Sequence, residues 1–314
     1  MSNRALFTAC LALVLAACGG APDDSGALVL DESALTSRNG LSTNGLSTNG
    51  LSTNGLSTNG LSTNGLSTNG LSTNGLSTSG FITWFTTQSG GIAYTNMVMT
   101  YVVRCALNSG ESLSYTTGGI TYTWTGNLGL APTWASGQPI PVVEQRLVSA
   151  CLAAHANKFG VEVAISVRGF FKDGVTQIPV GTDEVETYTV KEGCFFGNLF
   201  SGAGIFSAYE NSTLSLGANS SYRACAFSNG GVGLCPNLPS TGKLCSSICH
   251  QLSGSSNTGI WNTCTWNGVA YPAITTRILP SSVNTCGSGS CHATETCYDN
   301  NTGYGCQTDC GKCP

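Results

Sequence analysis

Two different hydrophobic rhythms divide the chain. Between residues 41 and 80 a leucine returns at every fifth position, a period that fits neither the 3.6 of an amphipathic helix nor the 2 of a half-buried strand. Beyond residue 80 the pattern turns to alternation. Ile120–Thr125 reads Ile-Thr-Tyr-Thr-Trp-Thr, apolar against polar with β-branched and aromatic residues, which predicts a strand. Residues 97–103, 161–167, 184–190 and 273–279 are read as further strands, and turn-forming clusters at 108–110, 172–174 and 229–231 separate such elements. One segment has helical spacing. Val143, Leu147, Cys151 and Ala154 share a face, Pro141 and Glu144 suit a first turn, and Gly160 suits a stop, which predicts a helix over 141–159. The expected fold is mainly β, antiparallel and β-rich with one packed α-helix.

The five-residue array consists of LSTNG seven times in succession, then LSTSG, with Asn39-Gly40 leading in. One reading of residues 39–80 is a spacer, because Asn-Gly and Ser/Thr favour turns and glycine makes ordering costly. As a Gly-rich coil it would span roughly 32–38 Å root-mean-square. The other reading is a short solenoid. In the phase NGLST the array resembles pentapeptide-repeat proteins, a resemblance that implies a right-handed β-helix. That family takes a small residue two before the leucine and Asp or Asn just before it, where this chain has Asn and Gly. The spacer is the expectation carried forward.

Residues 1–17 read as a signal peptide. Arg4 supplies the positive start, and the apolar run from Ala5 to Ala17 is too short to span a bilayer. Its end, LAAC followed by Gly19, resembles a bacterial lipobox. That resemblance implies lipidation at Cys18, removal of the preceding peptide and a membrane anchor of three acyl chains, with 18–38 as a lipidated tether. One acyl chain holds a protein to a membrane only marginally, so three imply permanent anchoring. Gly19 in place of Asp implies the outer membrane.

Composition narrows the classes that remain. Only 9% of the 314 residues are charged, with 12 Lys+Arg against 16 Asp+Glu. An ordinary domain has about 25%. No basic footprint for nucleic acid exists, and 41% hydrophobic residues argue against a disordered chain. Residues 81–314 are long enough to bury a sizeable core; they are read as a β-rich domain, 81–220, and a cysteine-rich region, 221–314, disulfide-linked to it.

The cysteines carry that linkage. Cys10 leaves with the signal and Cys18 takes lipid. Cys105, Cys151, Cys194, Cys225, Cys235, Cys245, Cys249, Cys264, Cys286, Cys291, Cys297, Cys306, Cys310 and Cys313 remain, an even number that reads as disulfides in an oxidising compartment. Three precede residue 221 and eleven follow, so at least one bond crosses that boundary if all pair. Cys194 with Cys225 is the nearest candidate, and Cys105 with Cys151 is expected to clip a strand to the helix. The six from Cys286 to Cys313 form a small disulfide-rich C-terminal module, with 15 pairings open.

The segments VRCAL at 103–107, GLAP at 129–132, VSACL at 148–152 and FGNLF at 196–200 are similar to those of uncharacterised myxobacterial lipoproteins. The resemblance implies an envelope location and no mechanism.

Several constellations remain to be weighed. Cys151 and His155, one helical turn apart, have the makings of a nucleophile pair, against a disulfide with His155 at an exposed, frayed helix end. Cys245, Cys249 and His250, with Cys291, His292, Cys310 and Cys313, could be recast as zinc ligands; disulfides are preferred, and no metal or cofactor is expected. Asp183, Glu184 and Glu186 are read as a solvated strand face. Ser149 and Ser207 lack a nucleophile elbow. Trp261 and Trp266 flank Cys264 in a polar loop and are the candidates for stacking on a glycan. The function expected is a membrane-anchored envelope or surface lipoprotein that binds or scaffolds without catalysis, its partner a cell-wall or extracellular glycan or another envelope protein. The alternative is an extracytoplasmic hydrolase gathering Glu162, Asp183 or Glu186 near His155.

Overall fold

The computed structural model describes residues 36–39, 41–42, 69–88, 90–157, 163–210, 219–220, 240–252, 259–291, 297, 300 and 305–313. The chain divides into Met1–Glu32 and Ser33–Pro314. The first unit, with Cys18 and the signal, lies outside the described residues, as do array residues 43–68, Glu162, Cys225, Cys235 and His292.

The second unit begins with β1 (Thr36–Asn39) and β2 (Leu41–Ser42). Three helices follow: α1 (Thr73–Leu76), α2 (Ser79–Thr87) and α3 (Gly91–Ala106). Residues 97–103, expected as a strand, belong to α3. A short, mostly apolar segment does not distinguish strand from helix. The buried Thr95, Val98, Met99, Val102, Cys105 and Ala106 show the helical spacing. The hairpin β3 (Ser112–Thr117) and β4 (Ile120–Thr125) pairs Leu113 with Trp124 and Tyr115 with Tyr122. Its aromatic face packs edge-on against Phe81 and Phe85 of α2, at centroid distances of 5.1–5.8 Å.

Next come α4 (Pro132–Ala135), α5 (Val142–Ala154), β5 (Ala156–Asn157), β6 (Val163–Gly169), α6 (Thr182–Thr187), β7 (Val190–Asn198) and β8 (Gly204–Tyr209). The helix expected over 141–159 is thus α5, stopping at the His155 cap because the chain turns into β5. Residues 184–190 divide between α6 and the start of β7. Acidic Asp183 and Glu184 sit in the first turn of α6, where they oppose the positive end of the helix dipole.

The remainder is β9 (Asn219–Ser220), β10 (Ser240–Leu244), α7 (Cys245–Ile248), β11 (Cys249–His250), β12 (Thr263–Trp266), β13 (Val269–Pro272), β14 (Ile274–Ile278), β15 (Asn284–Thr285) and α8 (Gln307–Cys310).

Six strands form the main sheet in the order β1-β6-β14-β7-β8-β10, antiparallel except where β10 joins β8 in parallel. Alternation decides what each face meets. Val163, Ile165, Val167, Phe195, Ile205, Ile274 and Ile278 join the larger core with α5, which is buried nearly all round. Cys194, Phe196, Ala208 and Ala273 join a second core beneath the small sheet β11-β12-β13. The fold is β-rich with a few helices, and disulfides cluster towards its C-terminus.

Gly197 lets β7 and β8 approach at the FGNLF segment. Its φ is +137°, and a Cβ there would lie 2.3 Å from the Gly204 carbonyl oxygen. Gly197→Ala is expected to lower stability by more than about 1 kcal/mol in urea melts; an unchanged midpoint would mean that the strands can part at no cost.

The array is pinned at both ends to this unit. Ahead of it, Thr36–Asn39 pair with β6, and its first residues, Leu41 and Ser42, pair with Ala156 and Asn157. At its far end Leu71 and Leu76 are 2% exposed within the larger core, and the Leu71 N–H donates to the Trp134 carbonyl. Gly70, at φ +80°, passes so near Gly137 that a Cβ would lie 2.2 Å from its backbone. The array is thus fixed to this unit through its first two residues and again through Leu71 and Leu76.

Candidate functional site

The Cys151/His155 pair is part of the core. Cys151 is bonded to Cys105, joining α5 to α3 where a strand-to-helix clip was expected. His155 is wholly buried, not frayed and exposed. Its Nδ1 lies 2.8 Å from the Cys151 carbonyl oxygen, to which it donates, and its ring lies 5.4 Å from that of Tyr101. With its sulfur in a disulfide, Cys151 is no nucleophile.

The three acids do not share a solvated strand face. Glu184 on α6 and Tyr188 at its C-cap lie one turn apart and are buried, whereas Asp183 and Glu186 are exposed. With His155 sealed in the core and Glu186 in solvent, the described members of the proposed hydrolytic set do not converge. Ser149 is also structural, donating to the Gln145 carbonyl and accepting the Leu199 N–H.

A buried polar layer that strand alternation alone does not reveal lies on β6, β14 and β7. Arg277 Nη2 donates to the Gly259 carbonyl at 2.9 Å and to Glu210 at 3.3 Å, with Lys191 at 3.7 Å from the same carboxylate. Arg168 donates to Ser166 Oγ and the Tyr188 carbonyl, and Thr276 donates to Glu192. Burial pushes the Glu210 carboxyl above its ordinary range, against the pull of Arg277 and Lys191. Burial lowers both arginines, and for Arg168 the nearby Arg277 charge adds to that. These groups fasten strands and loops to one another through charge-assisted hydrogen bonds.

The two tryptophans part company. Trp261 is 8% exposed and its ring sits in the second core, so it offers no stacking face; its backbone N–H donates to Thr275 Oγ1. Trp266 is half-buried at the end of β12, its ring 6.2 Å from that of half-buried Phe206. Phe206 in turn meets Phe196 at 5.8 Å and Tyr271 at 6.4 Å, and the Arg146 guanidinium lies 5.1 Å over the Tyr271 ring. Thr265 and Asn267 stand exposed on either side of Trp266. The result is an aromatic ledge with polar flanks, founded on a cross-linked core. Sequence distance conceals Phe206 as its second ring.

Beneath the ledge Cys194 is bonded to Cys245 and Cys249 to Cys264. The bond that ties the cysteine-rich region to the preceding strands is therefore Cys194–Cys245, not Cys194–Cys225; β10 lies beside β8, which brings Cys245 under β7. Cys245 and Cys249 are thus not zinc ligands here, and His250 is exposed on β11. In the C-terminal module Cys286–Cys306, Cys291–Cys310 and Cys297–Cys313 link first to fourth, second to fifth and third to sixth. Desolvation raises the Asp309 carboxyl, but the N–H groups it accepts from Gly289, Gly287 and Ser288, with the Ser288 hydroxyl, together outweigh it and hold the carboxyl below the usual range.

Among the described residues no helix is long and apolar enough to cross a membrane. The family described as GLTT repeat (6 copies) matches residues 40–67 and 55–82, which supports a repeat array. Comparison with curated proteins and with solved structures finds no match.

Proposed function

We propose that this chain is a lipid-anchored, disulfide-stabilised envelope lipoprotein of the myxobacterial type, which binds or scaffolds rather than catalyses. The observation that carries the reading is the set of six described disulfides, which includes the bond joining β7 to α7 and a three-rung C-terminal module. Such a set persists where thiols are oxidised, outside the cytosol. The LAAC-Gly segment supports Cys18 as the anchor, in the outer membrane. The reach from Cys18 to β1 is set by residues 19–35, at most ~60 Å when fully extended; the array, which begins after β1, adds nothing to it.

The test is metabolic labelling of the full chain with a radioactive fatty acid in a Gram-negative host, followed by separation of membrane and soluble fractions. Label on the wild type, and loss of both label and membrane association in Cys18→Ser, is the expected result. An unlabelled chain in the soluble fraction would sink the anchor.

The ledge of Trp266 and Phe206 supports a glycan as the ligand, since sugar rings stack on half-exposed aromatics. Trp266→Ala is expected to weaken retention on insoluble cell-wall polysaccharide about fivefold, the loss of ~1 kcal/mol of aromatic contact. Trp261→Phe, a change inside the core, should leave retention unaltered. Equal retention by wild type and Trp266→Ala would remove the ledge as the binding face.

A further inference from the structure

The four cysteines under the ledge form two bonds but one cluster of sulfur. Cys194 Sγ lies 3.3 Å from Cys249 Sγ and 3.9 Å from Cys264 Sγ, although it is bonded to neither. The sulfurs of Cys194, Cys249 and Cys264 all fall within 4.8 Å of one another. They come from β7, β11 and β12, with the Cys245 partner on α7, and all four residues are buried. Cys249 and Cys264 face each other across the β11–β12 register, so their bond lies within the small sheet. Cys194–Cys245 instead fastens the main sheet to α7.

Thiol–disulfide exchange needs a thiolate within reach of a disulfide sulfur. Here the sulfur that opening of one bond would free already touches the other bond. We propose that Cys194, Cys245, Cys249 and Cys264 are a thiol–disulfide exchange site whose co-substrate is a small thiol or the reactive cysteine of a redox partner. Local opening of α7 brings the buried Cys245 Sγ to solvent, where the incoming thiolate attacks it and forms a mixed disulfide; the electron pair of the broken bond leaves on Cys194. The Cys194 thiolate attacks Cys249 Sγ, the Cys194–Cys249 bond forms, and Cys264 departs as a thiolate that takes up a proton. Two disulfides exist before and after, and one thiol has been exchanged for another. The covalent anchor of β7 moves from α7 to the small sheet: α7 loses its disulfide to the main sheet while β11 gains one.

The most direct test uses Cys245→Ser, which leaves Cys194 as a thiol beside the Cys249–Cys264 bond. After acid quenching and alkylation, peptide mapping without reduction should show a Cys194–Cys249 linkage, with Cys264 alkylated to within about tenfold of Cys194, as for two bonds of similar stability. Alkylation of Cys194 alone, with Cys249–Cys264 intact in every molecule, overturns the proposal. The wild-type full chain treated with limiting glutathione gives the same reading without any substitution. A Cys194–Cys249 peptide with free Cys264 supports exchange, and a Cys194 thiol that accumulates beside an intact Cys249–Cys264 bond refutes it.

Discussion

Replacing Cys105 and Cys151 together by alanine is expected to cost about 4 kcal/mol of stability, the chain-entropy value for closing a loop of this length. The two residues are 46 apart in sequence and wholly buried, one on α3 and the other on α5. The bond therefore joins the two long helices of the larger core and spares the unfolded chain a wide range of conformations. For a unit of this size the loss corresponds to a fall of roughly 8–16 °C in melting temperature. Cys297→Ala with Cys313→Ala removes a bond of sequence separation 16 from the C-terminal module. The entropy relation gives that bond about 3 kcal/mol, but the loss should appear as loosening of residues 286–313 rather than as a fall in the main transition. Calorimetry with hydrogen exchange separates the two. Equal melting of wild type and the Cys105/Cys151 variant would show that packing of α5 alone holds the core.

The second large effect is expected at Glu144. Its carboxylate is wholly buried and accepts the N–H groups of Thr133 and Trp134 at 3.1 and 3.0 Å, capping the start of α4 from the first turn of α5. Lys172 Nζ donates to it at 2.9 Å and to the Thr133 hydroxyl at 2.8 Å. Glu144→Ala takes the acceptor from one buried and one part-buried N–H group and should cost about 3 kcal/mol. Lys172→Met should cost only about 1 kcal/mol, because the lysine side chain is 41% exposed and its charge is already in water's reach. Burial alone would raise the Glu144 pKa, but the hydrogen bonds from Thr133, Lys172 and Trp134 outweigh it, and the net shift is downward. A lowered pKa means that the unfolded chain binds the proton first as pH falls. The contribution of Glu144 is therefore complete above the ordinary carboxylate value of about 4.3 and is lost as pH drops through the lower folded value. Urea unfolding of wild type and Glu144→Gln at pH 7 and below pH 4 checks the sign: the gap between the two should narrow in acid. A gap that widens would reverse the assignment.

How far the sequence reveals this architecture depends on the kind of signal each element carries. Ile120–Thr125 is legible because apolar and polar residues alternate among β-branched and aromatic side chains, and α5 because four apolar residues keep helical spacing behind Pro141. The α3 helix is concealed, since it is buried on most sides and its apolar residues at 97–99 and 101–103 come in short runs that fit a strand as well as a helix. The first turn of α6 hides inside a run of alternating acids for a related reason: spacing by two over three residues fits a strand as well as one helical turn. Glu144 reads as an early helix residue, while its service to α4 depends on a contact between helices. The ledge and the sulfur cluster are less visible still. Phe206 and Trp266, or Cys194 and Cys249, are neighbours only after the main sheet has brought β7 and β8 beside the small one. The cysteine parity that demands a crossing bond is a property of composition, and it survives any fold; the choice of partner requires knowing that β10 runs parallel to β8.

The pinning of the array at Leu41–Ser42 and at Leu71 has a consequence for how this chain can change over generations. A segment whose two ends are fixed to one body closes a loop between them. Even counted as wholly flexible chain, one more LSTNG copy adds only ~0.2 kcal/mol of closure entropy, because that cost grows with the logarithm of length. Gain or loss of whole copies by slippage is then close to neutral for the fold, and near-identical neighbours are what such slippage leaves behind. Strains carrying different copy numbers should share one melting temperature.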